Sequence, residues 1–192
     1  MREWLALFSV LVLAACAQLP SAPPSGYALS GKLSIRDARQ SQQAMFGWQA
    51  SAQEDRISID SPLGQTLAAL TIRYDDDGLP LSALFEQGGE MVQAADDPEA
   101  LLKDLTGLSL PLEGLRWWLR GEVSPFTPAE RHEQEGTVTL RQDGWTIEAR
   151  DFRPLGKRQQ PYRIQANRDD LQLRIVITDA IDNPTSELPS AP

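Results

Sequence analysis

One cysteine and one histidine are all that the 192 residues offer to thiol, imidazole or transition-metal chemistry. That count leaves no disulfide framework and no Cys/His metal site. The histidine, His132, lies in the charged segment Ala129-Glu130-Arg131-His132-Glu133-Gln134-Glu135, with no motif setting a nucleophile beside it. It reads as a surface residue of a loop. No glycine-rich phosphate loop and no metal-ligand spacing occurs. Asp75-Asp76-Asp77-Gly78 reads as an acidic turn, because the spaced ligands of a calcium loop are missing. Basic residues are also scarce: 18 Lys and Arg face 27 Asp and Glu, for a net charge of −9. A chain of that sign with no basic stripe repels phosphate backbones, so nucleic acid is not an expected partner. No catalytic constellation emerges, and the chain is not expected to be an enzyme. Aromatic residues make up 7% of the chain, yet five of them are tryptophan. The length suffices for one domain with a substantial core.

Long apolar runs are missing too, with one short exception at the start. Trp4 to Ala15 is apolar, preceded by Arg2, and ends in small residues. It has the length of a signal peptide and is too short for a comfortable membrane span. Its end, Leu13-Ala14-Ala15-Cys16, resembles the lipobox of bacterial lipoproteins, in which the cysteine is lipidated and becomes the first mature residue. The only cysteine of the chain stands at that spot. Residues 1–15 are therefore expected to be a lipoprotein signal peptide. Residues 16–26, uncharged and with three prolines, form a lipidated N-terminus and semi-extended tether. Two or more acyl chains anchor stably where one does not. The expected covalent lipid on Cys16, an N-acyl plus an S-diacylglycerol group, would thus hold the protein on a bilayer unaided. No other cofactor is expected. The residue after the cysteine is Ala17 rather than Asp, which resembles the enterobacterial sorting signal for the outer membrane.

From Tyr27 the pattern is that of strands. Tyr27, Leu29, Leu33 and Ile35 alternate with Ser30, Lys32 and Ser34, and Ala44, Phe46 and Trp48 continue the period of two after a polar turn. Ile57 and Ile59 begin a hairpin whose turn is Ser61-Pro62-Leu63-Gly64 and whose return strand is Leu67 to Tyr74. Leu63 is a large apolar side chain at a turn apex. By itself it reads as a residue folded back on the core or a scattered surface apolar. The sharper alternative is a tip that touches something apolar. Leu81, Ala83 and Phe85 alternate next. Asp96-Asp97-Pro98-Glu99 then starts a helix with Leu101, Leu102 and Leu105 on one face and Gly107 at its end. Pro111 opens a second helix with the stripe Leu112, Leu115, Trp118 and Leu119 and Gly121 as stop. After a loop from Val123 to Gly136, strands return: Val138 and Leu140, the hairpin turn Asp143-Gly144, then Trp145, Ile147 and Ala149. Tyr162, Ile164 and Ala166 pair through the turn Arg168-Asp169-Asp170 with Leu171, Leu173, Ile175 and Ile177. The expected fold is mainly β: a curved antiparallel meander interrupted by a helical pair that covers one face and encloses a cavity. The domain spans residues 27–178, and residues 179–192, polar and rich in proline, form a flexible tail.

Four segments in order carry a resemblance: Phe46-Gly47-Trp48-Gln49, Ser61-Pro62-Leu63-Gly64, Leu105-Thr106-Gly107-Leu108 with Pro111-Leu112, and Leu115-Arg116-Trp117-Trp118. From about Tyr27 to Ile177 the chain resembles LolB, the family of outer-membrane lipoprotein receptors. Where its members often have Asn-Pro-Leu-Gly, this chain has Ser-Pro-Leu-Gly. The resemblance implies an unclosed β-barrel with a helical lid over an apolar cavity. It implies acceptance of lipoproteins from the periplasmic carrier LolA and their delivery, without nucleotide, to the inner leaflet of the outer membrane. It places Trp48, Trp118 and Trp145 on the acyl-chain cavity and assigns membrane insertion to Leu63. Burying one leucine yields about 1.5–3 kcal/mol, too little to anchor a protein, so anchoring falls to Cys16. Trp117 has no clear direction in this pattern, and Arg116 matches the motif without a role. The expected partners are thus the carrier, the acyl chains of the cargo and the membrane, with the receptor itself a monomer. The alternative reading is a different outer-membrane lipoprotein, a lipid-binding or assembly-scaffold module that would not accept cargo from the carrier.

Overall fold

The computed structural model describes residues 26–182. The signal peptide, Cys16, the tether up to residue 25 and the tail from residue 183 lie outside the described residues. Eleven strands and two helices follow one another: β1 (Tyr27–Arg36), β2 (Ser41–Ala50), β3 (Glu54–Asp60), β4 (Thr66–Tyr74), β5 (Pro80–Gln87), β6 (Glu90–Ala95), α1 (Pro98–Thr106), α2 (Leu112–Trp118), β7 (Ala129–Gln134), β8 (Thr137–Gln142), β9 (Trp145–Leu155), β10 (Arg158–Arg168) and β11 (Leu171–Asp182). All strands form one antiparallel sheet in the order β6-β5-β4-β3-β2-β1-β11-β10-β9-β8-β7. The first and last strands meet at its centre, and two meanders unwind from them. β6 and β7 are left as unpaired edges, so the barrel is unclosed. The segment carrying α1 and α2 joins those two edges and covers the inner face.

Local chemistry sets these elements. On β1, Tyr27 and Leu29 point inward and are buried. Gly31 is required by a close approach: a Cβ there would stand 2.1 Å from the Val176 carbonyl oxygen, at a register shift between β1 and β11. The Asp143-Gly144 turn has both residues at positive φ, 52° and 77°, the mirror-image turn whose twist suits a hairpin. α1 is capped by Asp97, whose carboxylate accepts from the backbone N–H groups of Glu99 and Ala100 at 2.9 and 3.0 Å, and ends at Gly107. α2 has no side-chain cap. Burial holds it instead, with all its residues but Glu113 buried.

Four expectations need correction. β6 was not anticipated, and β7 lies inside the segment read as a loop, so His132 is on an exposed edge strand. Both strands have one neighbour and solvent on both faces, so neither shows an inside–outside alternation; every β7 residue is exposed. The third is the end of the last strand, read at Ile177. β11 continues to Asp182, and Asp179 to Asp182 pair with Ser30 to Tyr27. Ala180 packs against the core, while Asp179, Ile181 and Asp182 are exposed and held by the backbone ladder, with no buried alternation to mark them as strand. α2 also ends earlier than Gly121, with Leu119 as its cap.

Because the Gly31 Cβ site is occupied by backbone, Gly31→Ala must push β1 and β11 apart at the centre of the sheet. We expect a loss of roughly 2–4 kcal/mol in urea unfolding. A loss below about 0.5 kcal/mol, the range of neutral surface changes, would show that the contact does not matter.

Candidate functional site

Between the inner face of β1 to β5 and the two helices lies a cavity of about 510 Å³. The sheet contributes Phe46, Trp48, Ile57, Ile59, Leu70 and Phe85, α1 contributes Leu102 and Leu105, and α2 contributes Leu112 and Leu115. Gln42, Gln43 and Thr106 are the polar members of the wall, and no lining residue is charged. Such a wall can hold an alkyl chain by excluding water, worth about 0.8 kcal/mol for each methylene. It has no ionisable group to transfer a proton.

A buried polar cluster borders the cavity. Asp55 on β3 and Arg116 on α2 are both buried, with Arg116 Nε 3.4 Å from Asp55 Oδ2. The same oxygen accepts from Trp48 Nε1 at 3.2 Å and from the Tyr74 hydroxyl at 3.1 Å. The guanidinium lies over the Tyr74 ring, 3.9 Å from its centre, and donates to the Ser51 carbonyl. The Tyr27 hydroxyl donates to the Arg116 carbonyl at 2.9 Å. Arg116 therefore fastens α2 to four strands or their turns. Burial pushes the Asp55 carboxyl up to about 6, against the opposing pull of Arg116 and of the Trp48 and Tyr74 hydrogen bonds. Trp48 belongs to both regions: its ring walls the cavity and its N–H binds Asp55.

The other two expected cavity tryptophans are elsewhere. Trp118 and Trp145 are fully buried but do not line the cavity. Their rings pack on each other at 6.1 Å. Trp118 Nε1 donates to Gln142 Oε1 at 2.9 Å, and its ring fills the space beside Gly114, where a Cβ would come within 2.5 Å. The physical reason is that α2 is buried nearly all round. It turns Leu112 and Leu115 to the cavity and Trp118 to the core on the far side, where Trp117 is also buried. Apolar periodicity cannot tell these two sides apart. Sequence reasoning left Asp55 out altogether. The signal was available: on a period of two, Asp55 shares the inward face of Ile57 and Ile59, an abnormal place for a carboxylate.

Leu63 stands at the apex of the β3–β4 turn and is 90% exposed. The turn is tight. Gly64 N–H donates to the Ser61 carbonyl at 2.9 Å, and Ser61 N–H to the Gln65 carbonyl at 2.8 Å. Gly64 has φ 83°, which a glycine adopts without strain. Thr66 Oγ1 donates to Asp60 at 2.8 Å across the base of the turn. The leucine is thus held outward. Cys16 lies outside the described residues.

The family profile described as outer membrane lipoprotein LolB matches residues 25–179. The chain belongs to the LolB family. Proteins named outer-membrane lipoprotein LolB from Thiobacillus denitrificans, Chromohalobacter salexigens and Chromobacterium violaceum are similar to it. The first is 30% identical, covering 83% of this chain and 82% of its own. The second is 33% identical, with 91% and 88% covered, and the third 33%, with 92% and 97%. Among solved structures, a DUF1329 family protein from Desulfovibrio piger superimposes with a TM-score of 0.55 at 8% identity, covering 83% of this chain and 86% of that one. A putative outer membrane lipoprotein-sorting protein domain from Vibrio parahaemolyticus gives 0.52 at 8%, with 81% and 84% covered. At that identity the likeness is one of fold.

The buried ion pair yields a test. Arg116→Met leaves Asp55 without its cation and should cost roughly 3–5 kcal/mol, much of it recovered in the double variant with Asp55→Asn. The folded Asp55 keeps its proton to about pH 6, whereas an unfolded carboxyl loses it near pH 4. In that window the folded chain binds the extra proton, so raising the pH takes stability away. The wild type should lose stability from pH 4 to 6 through this group, and the double variant should lack that component. Single variants within about 1 kcal/mol of wild type, or the same slope in the double variant, would remove Asp55–Arg116 from this role.

Proposed function

We propose that the chain is an outer-membrane receptor that accepts lipoproteins from a LolA-type periplasmic carrier and delivers them to the inner leaflet of the outer membrane. The observation that carries the reading is the uncharged apolar cavity under the helices, in a chain of the LolB family. The cavity shelters acyl chains of the cargo from water. Trp48 walls it from the sheet, while Trp118 and Trp145 support α2 from behind. Since each methylene gains similarly in any apolar site, cargo moves between carrier, receptor and bilayer over small free-energy differences, and no nucleotide is consumed. Cys16, lipidated, holds the receptor on the membrane, facing the periplasm. Leu63 touches the bilayer during release. The receptor acts as a monomer.

Incubation with a carrier–lipoprotein complex tests this. Cargo should pass to a form of the chain that begins after Cys16, and retention by the carrier would overturn the receptor reading. In the same form, Leu63→Glu should take up cargo normally and fail to deliver it to membranes. Undiminished delivery by this variant would sink the role given to Leu63.

A further inference from the structure

Leu63 is not the only apolar side chain in water at its end of the sheet. Leu67 is 52% exposed, Met91 69% and Val92 52%. The β3–β4 and β5–β6 turns lie at the same end, because the β4–β5 turn reverses the chain at the other. The two tips are joined: Gly88 N–H donates to the Leu67 carbonyl at 3.2 Å.

Two of these residues occupy irregular positions. Between the pairs Ile59–Ala68 and Asp60–Thr66, β4 has one residue more than β3, and that residue is Leu67. Between the pairs Phe85–Gln93 and Glu86–Met91, β6 has one residue more than β5, and that residue is Val92. A bulge re-aims the side chain of the extra residue and bends its strand. Two neighbouring hairpins thus each place an aliphatic side chain at a bulge on this one end. A monomer gains nothing from leaving such residues in water.

We infer that these two hairpin ends form one membrane-contact surface, with Leu67, Met91 and Val92 entering the apolar layer of the bilayer beside Leu63. The inference rests on the receptor reading given above and extends it. The occupant is a bilayer for three reasons. The surface is continuous with the Leu63 tip. It adjoins the cavity, because Ile59, Ala68 and Phe85 of these same strand ends line it, so a chain leaving there meets the surface at once. It also offers little charge: β5 and β6 carry no cationic residue, and Glu86 is matched by Arg56 at 3.5 Å. Glu90, opposite Gln87 at the turn, adds a carboxylate. That composition suits zwitterionic lipid and gives no attraction for anionic headgroups.

The test uses the full lipidated chain on vesicles of phosphatidylethanolamine and phosphatidylcholine. Cysteine is introduced singly at Leu63, Leu67, Met91 and Val92, and at Leu81, which is exposed at the other end of the sheet. Each is labelled with an environment-sensitive fluorophore, with the unsubstituted chain as the labelling control. Lipid-borne quenchers should dim the labels at 63, 67, 91 and 92 severalfold more than the label at 81. Quenching at 63 without 67, 91 and 92 would overturn the two-hairpin surface and leave the receptor reading standing. Silence at all four, or quenching at 81 alone, would overturn membrane contact through this end altogether. In a delivery assay, Met91→Glu with Val92→Glu should leave uptake from the carrier intact and lower delivery severalfold; unchanged delivery counts against the inference. Concentration-dependent dimerisation that Met91→Glu abolishes would assign the surface to a second copy and overturn the bilayer as its occupant.

Discussion

Burying Arg116 takes a full charge out of water, and the rest of the site is arranged around the means of doing so. Its guanidinium is answered by Asp55, by the Ser51 carbonyl and by the face of Tyr74. Its own carbonyl is answered by Tyr27. An ion pair of this kind contributes little net stability compared with apolar residues of the same shape. What it does is fix position, because breaking either half leaves a charge stranded. α2 is therefore held in one place against β3 and β1. α1 has no comparable restraint: only Pro98 and Leu101 are buried on it. The cover over the cavity thus has one pinned half and one held by apolar contact and by a hydrogen bond from Glu113 N–H on α2 to Glu99 Oε1 on α1 at 3.3 Å.

The cavity exists because two cores do not merge. The larger one runs from Tyr27 and Leu29 through Trp118 and Trp145 to Ile177, and the smaller one gathers Leu70, Ile72, Tyr74 and Ala83 beneath Leu101 and Leu112. Ile57 touches both. The space between them is walled by Phe46, Trp48 and Leu115 from one and Leu70 and Leu112 from the other. Proteins ordinarily close such a gap, since an empty apolar volume forfeits dispersion contacts. Here the unclosed sheet prevents it. With β6 and β7 unpaired, only the short helical segment spans the opening, and its pinned half cannot collapse inward.

Strand alternation carried most of the fold into view before any coordinates. Nine strands announce themselves by inward apolar residues every second position, and both helices by their caps or stripes. The two edge strands do not, because edges have no buried face to write into the sequence. The site was legible in part for a related reason. Trp48 lies on a strand with one buried face, so its direction follows from its parity. Trp118 lies on a helix buried on nearly all sides, so its direction does not. Asp55 and Arg116 are far apart in the chain, and no local pattern joins them; only the parity of Asp55 with Ile57 and Ile59 marked it as unusual.

The pairing of β1 with its neighbours at the sheet centre also sets where Tyr27 lies relative to the Leu63 turn. Tyr27 lies at one end of β1, and the register of β1 with β2 and of β2 with β3 sets Asp60 level with Lys32, so the turn bearing Leu63 stands beside the second half of β1. From Tyr27 to Lys32, the level of Asp60, β1 rises about 17 Å. The ten residues from Ala17 to Gly26 reach at most roughly 33–36 Å when extended. With the anchoring at Cys16 and the contact through Leu63 proposed above, the molecule cannot stand upright on its tethered end. It tips until the Leu63 turn meets the bilayer. The Leu63 turn, and not the tethered end, then faces the bilayer. The offset of Tyr27 from that turn is shorter than the reach of residues 17–26, so the anchor leaves the contact free to form.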